Sequence, residues 1–390
     1  MMVPVAYNLR SLAVRRRNTI ASAAGLALVV FVFSTVLMLS EGIKRTLGRS
    51  GTDGVAVLLR KGSDAELNSG IDAAQVGIVG GSPEIAKGPD GSPQIIGEVA
   101  VVLAQPLAAK PDQFSNLSVR GVPDNVFAFR SDAKIVEGRQ ATPGTDEAVI
   151  GKAIRGRFVG MELGESFELR KNRPVKVVGI FAAGGSAYES EVWADIDAVR
   201  SAFGRLGGIS SMRVRLESPQ KFDAFKARIE TDRQLGLDVV RERAYYDKQS
   251  EGLSLFITAM GMVVAVLFSL GAMIGAMITM YATVAHRRRE VGTLLALGFS
   301  RVSVLSSFLL ESILLALVGG GTGALLALLM SFFKFSTLNM RTWSEITVSF
   351  EPTIPIVFGS LIFAGAMGIF GGFLPAVRAA RLSPVEAMRE

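Results

Sequence analysis

The chain has 390 residues, 49% of them hydrophobic and 20% charged, with a net charge of +7 and a mean hydropathy of +0.39. That is too apolar for an ordinary soluble surface. The lack of cysteine excludes disulfides, thiolate catalysis and thiolate metal sites, and a single histidine, His286, excludes a multi-histidine metal centre.

Residues Val5–Ala13 read as an amphipathic interfacial helix. They lead into the uncharged run Asn18–Ser40, which is flanked by Arg15, Arg16 and Arg17 on one side and Glu41 on the other. A span needs about 20 apolar residues, so this run is long enough. It is too long for a signal-peptide core and ends in VLMLSEG without a small-x-small cleavage site, so it reads as an uncleaved signal anchor.

Between Glu41 and Glu251 the pattern is that of a mixed α/β domain folding in water. Val55–Arg60, Ile95–Leu103 and Asn116–Gly121 are predicted strands, and Ser166–Phe181 gives two strands around a polar turn. The stretch Gly80–Pro93 is either a lobe boundary or a turn between two strands, and Gly184-Gly185 is a loop. Asp195 is placed to cap a helix whose inner stripe is Ile196, Val199 and Phe203. Ser210–Glu217 alternates, with Met212, Val214 and Leu216 on a buried face and Arg213, Arg215 and Glu217 on the opposite one. Ser218 and Pro219 then start a helix carrying Phe222, Phe225 and Ile229. No paired carboxylates, Ser/His arrangement or metal spacing stands out, so the domain reads as a binding or transmitting module.

A second uncharged run, Gly252–Ala285, would be roughly 50 Å long as a helix and must tilt or project as a stalk. It is followed by HRRREVGTLLALGFSRVSV (His286–Val304). On a helix from Arg289, the residues Val291, Leu294, Leu295, Gly298 and Val302 form one apolar stripe, with Arg287, Arg288, Arg289 and Glu290 at its start. Such a helix can rest on the ends of a bundle and fill a groove on a cytoplasmic partner, or serve only as a basic topology anchor. Val302–Phe333 carries one charge, Glu311, which at that depth is expected to be paired within the bundle. Lys334–Glu351 is a short loop and Pro352–Val377 a fourth, uncharged span. Ser383, Pro384 and Glu386 make a capping box for a short terminal helix. Small residues recur at four-residue spacing: Gly271 and Gly275, Gly319 and Gly323, then Ala364, Gly368 and Gly372. They permit close approach of helices, at a dimer seam or within one subunit.

Charge sets the orientation. Glu41–Glu251 holds 29 basic and 29 acidic residues, so the whole excess lies elsewhere, mostly at the N-terminus, at Arg287–Arg301 and at the C-terminus. With four spans these three places share one side, which the positive-inside rule makes cytoplasmic. No P-loop is present: the Gly-Lys pair Gly151-Lys152 is followed by Ala153 and has Asp146 where the first glycine belongs.

Arg289, Glu290, Val291 and Gly292, then Ala296, Leu297 and Gly298, then Ser300 and Arg301, then Glu311, Gly319 and Gly320, resemble the span–loop–span block of the MacB/FtsX-like ABC transporter permeases. LPAVRAARLSPVEAMRE (Leu374–Glu390) is similar to that family's closing motif. Val149–Phe181 is similar to its extracytoplasmic core, where a Gly-Lys helix precedes two strands. The resemblance implies an α-helical membrane protein with four transmembrane helices plus a mixed α/β extracytoplasmic domain inserted between helices 1 and 2. The organisation it implies is a cytoplasmic segment 1–17, helix 1 at 18–40, a MacB-like core at 41–251, helix 2 with its stalk at 252–285 and a coupling helix at 286–301. Helix 3 follows at 302–333, a short outer loop at 334–351, helix 4 at 352–377 and a cytoplasmic tail at 378–390. Residues Arg287 to Gly292 and Leu294 to Gly298 would then engage an ATPase. Because no nucleotide-binding segment precedes the first span, the resemblance is to separate-subunit permeases such as LolC/LolE, FtsX and DevC. The chain would itself be no enzyme and hold no cofactor, with ATP and Mg bound by a partner ABC ATPase dimer. A second permease subunit, membrane lipids and a periplasmic adaptor, lipoprotein or hydrolase would complete the partners; nucleic acid would not be one. The function implied is a mechanotransmission permease that exports or extracts a lipoprotein, lipid, peptide or drug. An FtsX-like regulator of a periplasmic hydrolase or sensor, and an anchor or receptor without ATPase, are the alternatives.

Overall fold

The computed structural model describes residues 16–205 and 207–383. The segment Val5–Ala13 and the capping box at Ser383–Glu386 lie outside, or extend beyond, the described residues. The chain divides into two compact units. One takes the chain up to Glu41, Leu255–Phe333 and the chain from Phe350; the other takes Gly42–Ser254 and Lys334–Ser349.

The elements run in the order α1 (Arg16–Gly48), β1 (Val55–Arg60), β2 (Ile71–Asp72), α2 (Ala73–Gly80), β3 (Ile95–Leu107), β4 (Lys110–Val122), α3 (Val126–Phe129), β5 (Lys134–Gly138) and β6 (Glu147–Gly151). Then come β7 (Ser166–Arg170), β8 (Arg173–Ala182), β9 (Glu191–Asp195), α4 (Ile196–Phe203), β10 (Gly208–Ile209), β11 (Ser211–Arg215), α5 (Phe222–Thr231) and β12 (Leu237–Arg241). The chain closes with α6 (Glu242–His286), α7 (Arg288–Ala296), α8 (Arg301–Leu329), β13 (Lys334–Leu338), β14 (Glu345–Ser349) and α9 (Ile354–Ala380).

Among the described residues, ten strands of the α/β unit form one sheet in the order β12-β1-β11-β3-β4-β9-β6-β8-β5, with β7 also on β8. β4 pairs with β9, and β6 with β8, in parallel; the other pairs in the sheet are antiparallel. Local chemistry explains several elements. Asp195 accepts from the amides of Asp197 and Ala198 and so starts α4. Val199 of α4 and Phe225 and Ile229 of α5 are buried in the same core as Val57's neighbours Ala56 and Leu58. Trp193 is fully buried and stacks on Phe181, ring centroids 4.3 Å apart.

Three sequence expectations change here. Residues after Gly151 form turns, not a Gly-Lys helix. The α6 helix begins at Glu242, ten residues before the apolar run that marks it in the sequence. Lys334–Glu351 is not a plain loop: β13 and β14 pair antiparallel, Phe335 opposite Val348. That hairpin belongs to the α/β unit, where Asn339 donates to Gln249 (3.1 Å), Ser115 donates to Glu345 (2.5 Å), and Glu345 also pairs with Arg157.

In the helical unit, α1, α6, α8 and α9 are long and apolar enough to cross a membrane. Leu26, Val29 and Val30 of α1 pack with Ala316 and Ala324 of α8 and Ala364 and Met367 of α9. Hydroxyls stitch the helices together: Ser34 to Ser360 (2.7 Å), Ser22 to Thr279 (2.9 Å) and Thr258 to Ser40 (2.9 Å).

Candidate coupling site

The basic turn after α6 is where sequence and structure meet. α7 is a nine-residue helix, Arg288–Ala296, within the 286–301 segment read from the sequence. It ends because Gly298 takes φ +91°, a left-handed conformation that glycine adopts without strain. The amide of Phe299 then reaches the Leu294 carbonyl (3.1 Å) and that of Gly298 the Leu295 carbonyl (3.2 Å), closing the helix end as a Schellman motif. Ser300 caps α8 by accepting from the Ser303 amide (3.1 Å).

α7 has two faces. Val291 and Gly292 are buried, and Val291 packs with Met280 and Val284 of α6, Val304 and Phe308 of α8, and Ala376 and Ala379 of α9. Leu294 and Leu295 are half-buried. Arg289, Glu290, Ala296, Leu297 and Gly298 are exposed, Arg288 partly so. Two members of the predicted stripe therefore leave it: Gly298 is the helix stop, and Val302, 73% exposed, belongs to α8.

Arg287 is also a correction. The sequence grouped it with Arg288 and Arg289 at a surface, yet it is buried in the helical unit. Its Nε donates to Glu290 (2.7 Å) and its Nη1 to Glu311 (2.9 Å), and its guanidinium lies 5.1 Å from the centre of the Phe308 ring. Glu311 is buried, and this pair is the partner its depth required. It also borders a cavity of ≈ 40 Å³ with Thr19, Thr279, Thr283 and Ser312.

The small residues separate into two groups. A methyl group added at Gly319 would lie 2.6 Å from the Ala23 carbonyl oxygen, and at Gly323 2.3 Å from that of Ala27. Gly368 lies against Ala316 and Ser312, Gly372 against Ser312, and Ala364 against Gly320. These five serve contacts within one chain. Gly271 and Gly275 have no such neighbour within 4 Å; they line an open groove of ≈ 500 Å³ with Gly25, Leu28 and Phe268.

A second buried charge cluster sits in the α/β unit, with no local pattern in the chain to announce it. Arg213 of β11, read as outward-facing, is fully buried. It reaches Glu98 at 2.5 Å, Glu66 at 2.7 Å and Glu242 at 3.2 Å. Arg120 of β4 reaches Glu191 at 2.7 Å, Glu98 at 2.8 Å and Glu66 at 3.0 Å, and Arg130 reaches Glu98 at 3.0 Å and Glu242 at 3.2 Å. Burial alone would raise the Glu98 carboxyl, but Arg213, Arg130 and Arg120 outweigh it and hold it at about 2. Burial likewise opposes ionisation of Glu66, and Arg120 and Arg213 hold it well below the usual carboxylate range. Glu242 is the first residue of α6, so the cluster fastens the start of that helix to β11 through Arg213 and to the end of α3 through Arg130. Every carboxylate here is engaged by arginine, and among the described residues no group of His, Asp or Glu is arranged to hold a metal.

Fold and site together define a polytopic membrane protein with an α/β unit inserted after its first helix and a short two-faced helix after its second. Residues 19–232 match the MacB-like periplasmic core domain and residues 262–384 the FtsX-like permease C-terminal domain. The chain belongs to this MacB-like, FtsX-like permease family. It is 28% identical over 393 residues to the pyoverdine export ATP-binding/permease protein PvdT of Pseudomonas entomophila, covering 93% of this chain and 56% of that protein. It is 30% identical over 231 residues to the macrolide export ATP-binding/permease protein MacB of Shigella boydii, covering 56% of this chain and 34% of that protein. The chain thus spans about half the length, or less, of these relatives. Among solved structures, the extracellular domain of the ABC-type transporter YknZ from Gram-positive bacteria aligns at 16% identity and TM-score 0.36, over 48% of this chain and 99% of that one. The periplasmic region of MacB from Actinobacillus actinomycetemcomitans aligns at 13% identity and TM-score 0.38, over 53% and 96%.

Proposed function

We propose that this chain is the membrane subunit of an ABC export complex of the mechanotransmission kind, driven by an ATPase on a separate polypeptide. Two permease chains and two ATPases form the complex. The basic turns face the cytoplasm and the α/β unit faces the periplasm. ATP-driven closure of the ATPases displaces α7, and α6, a single helix from Glu242 to His286, carries the motion to the α/β unit. That unit then moves a lipoprotein, lipid, peptide or drug already outside the cytoplasm. The relatives' names, with pyoverdine and macrolides as cargo, favour a small molecule.

The observation that carries this reading is the division of α7: Val291 and Gly292 are held by the bundle, while Arg289, Glu290, Ala296 and Leu297 are offered outward beside the partly exposed Arg288. A short helix with one face fastened to the ends of three helices and a charged, apolar-tipped outer face suits a groove on a cytoplasmic partner. The test is co-purification from native membranes. The parent chain is expected to bring down an ABC ATPase, and Arg288→Glu with Leu297→Asp to lose it while still inserting. Equal ATPase recovery with both proteins overturns the assignment of α7, and no ATPase with the parent chain overturns the reading altogether.

A further inference from the structure

The conversion of a docking event into helix motion needs a joint, and Arg287 is built as one. It sits at the junction of α6 and α7, its amide held by the Thr283 and Val284 carbonyls at 3.2 Å. One nitrogen of its guanidinium is committed to Glu290 on α7 and another to Glu311 on α8. Three helices therefore meet at one planar cation, which Phe308 of α8 backs with its ring face.

Val291, Leu295 and their neighbours add apolar contact between α7 and the bundle. Apolar contacts are non-directional and tolerate sliding. A guanidinium donating along two fixed directions does not, because its planar fork sets both angle and register. The environment makes the pair hard to open. Arg287 and Glu311 are each nearly excluded from solvent, with 7% and 6% of their side-chain surface exposed. Glu311 also lines the adjoining ≈ 40 Å³ cavity. Glu311 lies about 15 Å along α8 from Arg301, so the joint grips that helix within its span, away from its capped start.

We propose that Arg287 is a positioning residue: through Glu311 it locks α7 to α8, so that displacement of α7 by the ATPase is transmitted into α8 and cannot be absorbed by slippage of the short helix. The proposal rests on the docking role given to α7 above. Arg287 touches no ATPase in this account; it is the inner end of the handle, while Arg288, Arg289 and Leu297 form the outer one.

The chain has no cysteine, so a single introduced thiol reports without background. Phe332→Cys places it just beyond the opposite end of α8, where the native side chain is 83% exposed. The complex with its ATPase is labelled with a maleimide before and after trapping with ATP and vanadate. The parent is expected to change its labelling rate on trapping. Glu311→Gln is expected to keep the ATPase in the pull-down and lose the trapping-dependent change. Arg287→Met with Glu311→Leu removes both members of the buried pair together and guards against simple misfolding; it is expected to behave the same way. Arg287→Lys, which keeps one charged contact, is expected to restore part of the change. A trapping-dependent change of parental size in the Met/Leu variant, or in Glu311→Gln, overturns the joint. Loss of the ATPase from these two variants also overturns it, since Arg287 would then belong to docking. Failure of Arg288→Glu with Leu297→Asp to release the ATPase is a separate result and removes the docking reading itself.

Discussion

Arg213→Met is the sharpest probe of the α/β unit. The native side chain is completely buried and donates to Glu66, Glu98 and Ser211, with Glu242 and Tyr246 at 3.2 and 3.3 Å. Methionine replaces the apolar stem but leaves those carboxylates short of a cation in a site closed to water. Removing one partner from a buried ionic cluster costs about 3–5 kcal/mol, because the charges left behind are not solvated and only Arg120 and Arg130 remain to pair with them. For a unit of this size that lowers the melting temperature by roughly 6–20 °C. The assay is thermal unfolding of the full-length protein in detergent, followed by the fluorescence of buried Trp193 in a Trp343→Phe background. Arg139→Gln is the control: its pair with Glu147 is exposed on the arginine side and its removal is expected to leave the midpoint in place. Acid provides the second arm. The Glu98 carboxyl, held at about 2 against an ordinary 4.5, contributes about 3 kcal/mol in the folded state. Because the folded value is the lower one, that stability is complete above pH 4.5 and is lost as the pH falls from about 4.5 towards 2. In Arg213→Met the Glu98 carboxyl is less depressed, so the share of this acid-dependent loss that Glu98 carries should shrink. A melting temperature within about 2 °C of the parent for Arg213→Met would refute the cluster's structural role.

The two groups of small residues predict opposite tolerances. Gly323→Leu drives a side chain into the Ala27 carbonyl and should abolish monodisperse protein on size-exclusion chromatography, whereas Gly271→Leu starts from a Cβ with no atom within 4 Å, opens into the groove, and should elute as a folded protein. Gly298→Val forces a β-branched residue to φ +91°, at a cost of about 1–2 kcal/mol, and should weaken ATPase recovery; Gly298→Asn should weaken it less.

Local signals were legible because their chemistry is local. β1 follows from the run Val55–Arg60, α4 from the Asp195 cap and its inward stripe, and β7 and β8 from two apolar alternations around a polar turn. The four long helices follow from uncharged length alone. What stayed hidden depends on partners distant in sequence. Arg213 alternates with Met212 and Val214 as a surface residue would; only pairing with Glu66, Glu98 and Glu242 makes its burial possible, and nothing within β11 announces them. Arg287 is one arginine among three, and what singles it out is Glu311, 24 positions away. The β13–β14 hairpin did leave a trace: Ile346, Val348 and Phe350 alternate with polar residues, a period-two signal overshadowed by the shortness of the segment between two spans.

The account stands or falls on which face of α7 meets another protein. A photo-crosslinker placed at Leu297, 72% exposed, is predicted to capture an ABC ATPase in living cells, while the same group at Val291, 1% exposed, is predicted to capture none. Capture from Val291, or no nucleotide-binding protein from Leu297, would contradict it.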